Sequence, residues 1–253
     1  MGEAMRIFVD VGAHNGETLH VALDPKWGFE RIFALEPASA CQEPLSGFRD
    51  PRLAVQPIGL GKETRKVVLH GAGLLGGSVY AGKRQTPVDA SMISTEEIAL
   101  VRASDWFADN LPPDAEVFLK LNCEGSECDI LADLLDSGKS SQVRNVYVDF
   151  DIRKVPGQEH RQEEVECRLQ EVGVEYSTPE SLGCSGNAAV DKWLEGSLPR
   201  VQSSPSAHIR HALRSYASPY ERMRVLVEAV LPRRLYFWIG RKFGRMARSR
   251  KRP

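Results

Sequence analysis

Three residues near the amino terminus have the types and the spacing of a nucleotide-binding loop. Asp10, Gly12 and Gly16 form a D-x-G-x-x-x-G pattern at the end of an apolar run. Glycine adopts positive φ without steric cost and lets the backbone approach a ligand closely. A helix that we expect to begin at residue 17 would direct its amino terminus towards a polar or anionic group. The pattern differs from G-x-G-x-x-G, the fingerprint of dinucleotide-binding proteins.

A carboxylate suited to a ribose follows the loop. Glu36 ends a second apolar run, residues 31–35, and Pro37 stops that strand. In doubly wound folds an acid at the end of the second strand accepts hydrogen bonds from ribose hydroxyls. Glu36 alone would fit an ordinary surface acid, but together with the glycine loop it predicts a nucleoside-type ligand.

Apolar and β-branched runs predict the elements that would position these residues. Nearly continuous apolar runs are typical of strands buried on both faces of a parallel sheet. We expect strands at residues 7–11, 31–35, 52–59, 66–69, 116–121, 145–150 and 174–177. We expect helices at residues 17–23, 41–48, 103–110, 126–135 and 159–172. This pattern predicts an α/β fold with a doubly wound, mostly parallel sheet.

Two glycine-rich segments interrupt the pattern. Residues 59–61 (Gly-Leu-Gly) predict a turn, either an ordinary one or one whose backbone contacts a base. Residues 71–83 contain five glycines and predict a loop, in which Ser78 and Tyr80 are polar groups that could meet a substrate. Residues 86–100 are polar and indicate no regular element.

The strand predicted at residues 116–121 leads into a third group of polar residues. Ligands of open α/β sheets bind outside the carboxyl ends of the strands, which makes Lys120, Asn122 and Glu124 candidate site residues. We expect Lys120 and Glu124 on the cofactor side and Asn122 on the substrate side. A buried lysine needs a carboxylate partner, which Asp10 or Glu124 could supply, and such a pair can also be purely structural.

Two acids lie at the end of the strand predicted at residues 145–150. Asp149 and Asp151 could bind a substrate or remove its proton, since carboxylates serve as general bases. They could equally be a solvated strand end.

Four motifs in succession resemble those of the FkbM family of S-adenosylmethionine-dependent methyltransferases: VDVGAHNGET, FALEP, GLGKET and FLKLNCEGSECDIL. The resemblance covers residues 6–150 and implies the Rossmann-like sheet of a class I methyltransferase. The family methylates hydroxyls, commonly on sugars, polyketides and other natural products. The resemblance also implies contacts with the cofactor: Asp10, Gly12 and Gly16 with its methionine part, Glu36 with its ribose, and the backbone of Gly59 and Leu60 with its adenine.

The chain departs from the family pattern at two positions. His14 stands where family members often have asparagine, and Asn122 stands where an acid is usual. A neutral Asn122 can still orient a substrate. An aliphatic hydroxyl benefits from a general base, and His14, Asp149 and Asp151 are the candidates, since histidine exchanges protons near neutral pH.

The charge of the chain is unevenly distributed. Residues 200–253 hold 14 Lys and Arg against 2 Asp and Glu, whereas residues 1–199 hold 19 and 32. A net charge of −1 conceals this asymmetry. We therefore expect a methyltransferase domain at residues 1–199 and a basic, helical extension at residues 200–253.

Cysteine usage and the first residues indicate a cytoplasmic protein. The five cysteines are odd in number and widely spaced, without a C-x-x-C pair, which favours neither a disulfide framework nor a zinc site. We expect no metal site. The first ten residues lack the pattern of a signal peptide.

The extension contains a basic, amphipathic stretch after Pro232. Five apolar residues recur there at helical spacing with arginines beside them: Leu235, Trp238, Ile239, Phe243 and Met246. Such a helix is typical of an anchor on anionic lipid, here at the inner face of the membrane, or of a helix packed on another subunit. Nucleic-acid binding is disfavoured because no nucleic-acid module accompanies the stretch.

The sequence thus predicts an O-methyltransferase that uses S-adenosylmethionine and a hydroxyl-bearing acceptor, a sugar or glycolipid. One alternative is an enzyme acting on a small natural product, which would stay active on a soluble acceptor without residues 208–253. Another is a catalytically idle S-adenosylmethionine-binding module whose tail binds a membrane or a partner. Asn122 in place of an acid favours that last alternative.

Overall fold

The computed structural model describes residues 4–74, 76–81, 83 and 94–198. Its strands are β1 (Arg6–Val11), β2 (Arg31–Leu35), β3 (Leu53–Gln56), β4 (Gly59–Gly61), β5 (Arg65–His70), β6 (Thr95–Arg102), β7 (Glu116–Leu121), β8 (Val143–Val148) and β9 (Glu175–Ser177). Its α-helices are α1 (Leu19–Ala22), α2 (Ser39–Ser46), α3 (Ala103–Asn110), α4 (Glu127–Asp136), α5 (His160–Glu171), α6 (Pro179–Leu182) and α7 (Gly186–Ser197). Single turns of 3₁₀-helix lie at Pro25–Trp27, Lys139–Gln142 and Asp151–Lys154.

Six strands form one parallel sheet in the order β3-β2-β1-β7-β8-β9. From β1 the chain builds the sheet outwards through β2 and β3, and it then crosses over to add β7, β8 and β9 on the other side. The topological switch point lies between β1 and β7, where Asp10 is in register with Lys120. Loops at the carboxyl ends of these two strands border the crevice in which such folds bind ligands.

Helices cover both faces of the sheet. Side chains alternate along β1, so that Ile7 and Val9 pack into the core beneath α3, α4 and α5, whereas Phe8 packs into the core with α1 and α7. Trp193 of α7 is fully buried against Phe8, and its Nε1 donates to Asn145 Oδ1 of β8 at 2.7 Å. The prediction of a doubly wound α/β fold with a Rossmann-like parallel sheet is confirmed.

A second, three-stranded sheet and the end of β3 correct three expectations. Residues 59–61 form the edge strand β4, not a turn, and β4 pairs in parallel with β6, which itself pairs antiparallel with β5. The strand expected at residues 52–59 ends at Gln56, because Pro57 has no N–H to donate to a ladder. Residues 95–100, expected to be irregular, belong to β6, whose buried Ile98 and Leu100 alternate with exposed residues.

Other boundaries differ by small shifts. The helix expected at residues 17–23 is a single helical turn, Leu19–Ala22. The residues just before it form non-helical turns. The strand expected at residues 145–150 ends at Val148, so Asp149 follows the strand.

Helix α7 had no counterpart among the sequence predictions. The basic extension, residues 200–253, lies outside the described residues.

No helix in the described ranges has the length and apolar character needed to cross a membrane.

Candidate functional site

A cleft lies at the switch point. Its floor is formed by the loops that follow β1, β2 and β7. The opposite wall is formed by β4, by β6 and by five residues of the glycine-rich segment: Gly73, Leu74, Gly76, Gly77 and Val79. The space within it is about 750 Å³, including the part open to solvent. Clefts at this position in open α/β sheets commonly bind small molecules.

The loop after β1 and the loop after β7 touch through their backbones. Gly12 has φ of +78°, and a Cβ built on it would lie 2.0 Å from the carbonyl oxygen of Asn122. The N–H groups of Gly12 and Ala13 both donate to the carbonyl of Leu35, at 2.9 and 3.2 Å. Glycine at position 12 therefore allows three strand ends to converge on the cleft.

Gly16, unlike Gly12, is surrounded by side chains. Its φ is +84°, and a Cβ there would lie 2.5 Å from the ring of Phe48. Gly16 is buried and does not line the cleft, in contrast to Gly12. Its backbone thus packs against α2 and the residues after it.

Asp10 and Lys120 form an ion pair beneath the cleft. Asp10 is fully buried, its Oδ1 lies 2.7 Å from Lys120 Nζ, and its Oδ2 accepts from the hydroxyl of Thr18. Lys120 Nζ also donates to the carbonyl of Gly12 at 2.7 Å. Neither charged side chain lines the cleft. Of the two partners considered for Lys120, the structure pairs it with Asp10, and the pair supports the glycine loop from below.

Glu36 lines the cleft and is held by backbone amides. Its Oε2 accepts from His14 N at 3.0 Å, and its Oε1 accepts from Ala38 N at 2.9 Å. Burial raises the pKa of Glu36, although the hydrogen bonds from these two backbone N–H groups lower it. Each carboxylate oxygen has a second lone pair, so Glu36 can accept two further hydrogen bonds.

His14 lies beside Glu36 in a strained backbone conformation. Its φ is +48°, in the left-handed region that few non-glycine residues adopt. Nδ1 lies 3.0 Å from Glu17 Oε1. Nε2 is buried and has no hydrogen-bond partner in the described part of the chain. Such outliers are often found at ligand sites, where the bound group provides the missing partner.

The turn after β7 presents Asn122 and Glu124 to the cleft. Glu124 is the second non-glycine residue with positive φ, at +61°, and its carbonyl accepts from Ser78 Oγ at 2.6 Å. Beneath the turn, the carboxylate of Glu127 accepts from the N–H groups of Cys123 and Gly125 at 3.0 to 3.1 Å. Burial raises the pKa of Glu127 to about 7.

Lys83, at the end of the glycine-rich segment, was not among the residues predicted for the site. Its Nζ pairs with the carboxylate of Glu124 and lies 2.9 Å from Asp151 Oδ2. Burial lowers the pKa of Lys83, and the bond to Asp151 opposes that shift. The ion pair between Lys83 and Glu124 and the hydrogen bond from Ser78 Oγ to the Glu124 carbonyl hold the glycine-rich segment against the turn after β7. No local sequence signal marks Lys83, because its partners are distant in the chain.

Asp149 lies away from the lining of the cleft. It follows β8, its N–H donates to the carbonyl of Leu121 at 3.0 Å, and its carboxylate lies 3.6 Å from Arg153. Burial raises the pKa of Asp149, and the neighbouring Asp151 raises it further. Tyr80 of the glycine-rich segment donates from its hydroxyl to Asp129 Oδ2 at 3.2 Å and does not line the cleft.

Gly59 and Leu60 form part of the apolar wall. Both line the cleft from β4, and a Cβ on Gly59 would lie 2.7 Å from Leu100 Cδ2. Ile98 and Leu69 extend this wall along the small sheet. The cleft therefore has a polar side at the strand ends and an apolar side at the small sheet.

The charged side chains that line the cleft are acidic, and one of them, Glu124, is paired with Lys83. Among the described residues that line the cleft, Glu36 and Glu124 are acidic and none is Lys or Arg. Burial raises the pKa of both lining cysteines, Cys41 and Cys123, which keeps them as neutral thiols. The described residues contain no cluster of three or more His, Cys, Asp and Glu side chains able to hold a metal ion.

Comparison of the chain with protein-family models, with curated proteins and with solved structures finds no match.

Proposed function

We propose that this chain is a class I, S-adenosylmethionine-dependent O-methyltransferase similar to the FkbM family. The observation that carries the proposal is the Glu36 carboxylate. It stands at the end of the second strand, opposite the glycine loop, with one free lone pair on each oxygen and both oxygens fixed by backbone amides. That arrangement suits the two adjacent hydroxyls of a ribose.

The remaining walls fit the other parts of this nucleoside. The apolar side formed by Leu60, Ile98 and Leu100 suits an adenine ring. At the other end, Gly12 exposes backbone where a side chain would collide with Asn122. These fits support the cofactor assignment made from the sequence motifs.

Electrostatics favours a sulfonium nucleoside over a dinucleotide. A pyrophosphate is usually bound by a helix amino terminus or by basic side chains. Here α1 has four residues, and the described lining carries Glu36 and Glu124 without Lys or Arg. The charge of Glu124 is offset by Lys83, so the comparison depends on Glu36, whose carboxylate would stabilise a positively charged sulfonium and repel a pyrophosphate.

Little chemistry is required of the protein in this reaction. A sulfonium supplies a methyl group that is already activated, so the main contribution of the protein is positioning. We assign to the Asn122 amide the orientation of the acceptor hydroxyl. Glu124 and His14 are the cleft residues able to take its proton, whereas Asp149 lies outside the lining.

The acceptor and the location are proposed from the family resemblance and from the basic extension. We propose a sugar or glycolipid hydroxyl as the acceptor, and a cytoplasmic enzyme that associates peripherally with an anionic membrane through residues 200–253. Acceptors that carry a phosphate close to the reacting hydroxyl fit less well, because Glu36 would repel them.

Calorimetric titration with S-adenosylhomocysteine tests the proposal. We expect binding by the wild type and a loss of about 1 kcal/mol or more in Glu36→Ala, the scale of a hydrogen bond to a charged group. Glu43→Ala, at an exposed glutamate of α2, is the matched control and should bind as the wild type does. A folded wild type that gives neither heat nor a thermal shift would exclude the methyltransferase.

One observation favours a binding module without catalysis. The Glu124 carboxylate is already paired with Lys83, and its neighbour Asn122 is neutral. Cofactor binding that depends on Glu36, together with no methyl transfer to any hydroxyl acceptor screened, would support this second function.

A further inference from the structure

A groove runs along the outer edge of the large sheet and shares no lining residue with the cleft. It is formed by β9, by the end of α5 and by α7, and the space within it is about 970 Å³, including the part open to solvent. Strand β9 is the last of the six strands, and among the described residues only β8 pairs with it. We call this feature the edge groove.

The floor of the edge groove is apolar. Tyr176 and Leu182 line it and are partly exposed, and the buried Val174 and Trp193 line it as well. Val172, at the end of α5, is 56% exposed, the highest value for a large apolar side chain in the described part of the chain. A concave apolar surface with polar residues around it is typical of a site that binds another apolar surface.

Acidic side chains surround this floor. Glu175 lines the groove and is exposed. Burial and the nearby Glu166 raise the pKa of the Tyr176 hydroxyl, so Glu166 lies within electrostatic range of the groove. Glu171 is exposed at the end of α5 and forms no ion pair within the described ranges. Lys192 is the one cation among the described lining residues, and its Nζ donates to a backbone carbonyl at 2.7 Å.

The chain leaves the described domain at this groove. Gly196 and Ser197 line it, and Leu198 is the last residue that the structure describes. The basic extension therefore begins within a few residues of the groove. Its 14 Lys and Arg against 2 Asp and Glu are opposite in sign to the acidic rim. A covalent connection makes any docking intramolecular, which raises the effective concentration of the extension at the groove.

We propose that the amphipathic segment of the extension, residues 234–248, docks in the edge groove of its own chain. Its five apolar residues cover the apolar floor, and the basic residues beside them meet the glutamates of the rim. Docking does not require methyl transfer, so the inference goes beyond the proposed function. One apolar stripe cannot be buried in the groove and in a lipid surface at once, so docking and membrane association exclude each other.

Limited digestion of the full chain with trypsin measures docking, because trypsin cleaves after the Lys and Arg residues of the segment. Mass spectrometry gives the initial rate of cleavage within residues 234–248. The groove variant combines Val172→Asp with Glu171→Lys, both at exposed positions. The matched control, Val68→Asp with Glu43→Lys, makes the same two changes at exposed positions of β5 and α2. Thermal unfolding verifies that each variant is folded.

We expect cleavage within the segment to be about tenfold or more faster in the groove variant than in the wild type or the control, because proteolysis follows the population of the open state. A segment variant, Trp238→Ser with Phe243→Ser, should show a similar increase. Combining it with the groove variant should add little, because both remove the same contact.

Vesicles of equal parts phosphatidylcholine and phosphatidylserine test the competition with lipid. They should bind the groove variant more tightly than the control, because no docked state has to open first. Equal vesicle binding by both variants would show that docking and lipid binding do not compete. If no variant binds vesicles but the groove variant is cleaved faster, the membrane part of the proposed function fails and docking stands.

Two results of the digestion would overturn the proposal. Equal cleavage rates in the groove variant and in the control would show that the segment does not occupy the groove. Protection of the wild type that appears only as the protein concentration rises would show that the groove binds the extension of a second copy.

Discussion

The main-chain N–H of His14 donates to Glu36 Oε2 at 3.0 Å and so joins the loop after β1 to the end of β2. The other carboxylate oxygen accepts from Ala38 N at 2.9 Å, so one side chain satisfies two backbone donors from different segments. Buried N–H groups without a partner are costly. Glu36 therefore has a structural function in addition to any contact with a ligand.

Glu36→Gln should reveal this structural function. The glutamine has one carbonyl oxygen for two donors, so either His14 N or Ala38 N would face an amide NH₂. We expect the free energy of unfolding to fall by about 1–3 kcal/mol, the cost of a buried donor without a partner. Urea denaturation measures it, with Glu43→Gln as the exposed control. Equal stabilities of the two variants would contradict this account.

Gly12→Ala should loosen the contact between the loops after β1 and β7. The new Cβ would lie 2.0 Å from the carbonyl oxygen of Asn122, in addition to the strain of φ at +78°. We expect a loss of about 2–5 kcal/mol, the sum of left-handed strain and overpacking. Gly157→Ala is the matched control, because its φ is also +78° and nothing lies within 4 Å of the Cβ position.

The control should lose only the strain, about 1–2 kcal/mol. Denaturation of both variants gives the difference, which is the cost of the collision alone. If Gly12→Ala were no less stable than Gly157→Ala, the close approach of the two loops would not exist in solution.

Lys120→Met should destabilise the fold strongly, because Asp10 would keep a buried charge with only the Thr18 hydroxyl as partner. Breaking a buried ion pair costs about 3–5 kcal/mol. The double variant Asp10→Asn with Lys120→Met should lose less than the sum of its single changes, because no uncompensated charge remains. Lys66→Met, at an exposed pair with Glu97, should stay close to the wild type. If the losses in the free energy of unfolding caused by Asp10→Asn and Lys120→Met simply add in the double variant, the two side chains are not energetically coupled.

Local patterns in the sequence were sufficient to locate the ends of three central strands. The apolar runs before Asp10, Glu36 and Asn122 predicted β1, β2 and β7, and parallel strands bring their carboxyl ends to one edge of the sheet. That reasoning placed Glu36, His14 and Asn122 near one another, as they are in the cleft.

Long-range pairing could be read only in part from one sequence, which allowed Asp10 or Glu124 as the partner of Lys120 and did not decide between them. Asp10 lies in a strand whose register partner, Lys120, is more than a hundred residues away, and that pairing directs its carboxylate under the loop. Lys83 is bound by Glu124 and Asp151, which belong to other parts of the chain. The sequence analysis did not predict β6, because its polar, exposed residues carry no strand pattern of their own. They form a strand through pairing with β5.

Glu127 should make the stability of the protein depend on pH. Burial raises its pKa from 4.5 to about 7 in the folded chain. The folded state therefore holds a proton that the unfolded state has released at pH values between these two limits. Stability should fall as the pH rises through this window, by at most about 1.4 kcal/mol per pH unit, and change no further above it.

Glu127→Gln tests this dependence because the glutamine cannot ionise. Its carbonyl can still accept from the N–H groups of Cys123 and Gly125, which the carboxylate binds at 3.0 to 3.1 Å. Burial also raises the pKa values of Glu36 and Asp149, so part of the fall with pH should remain in the variant. Urea denaturation of both proteins at pH 5 and at pH 8 gives the difference. We expect the wild type to lose more stability than Glu127→Gln between these pH values, and parallel losses would show that Glu127 is ionised in the fold throughout.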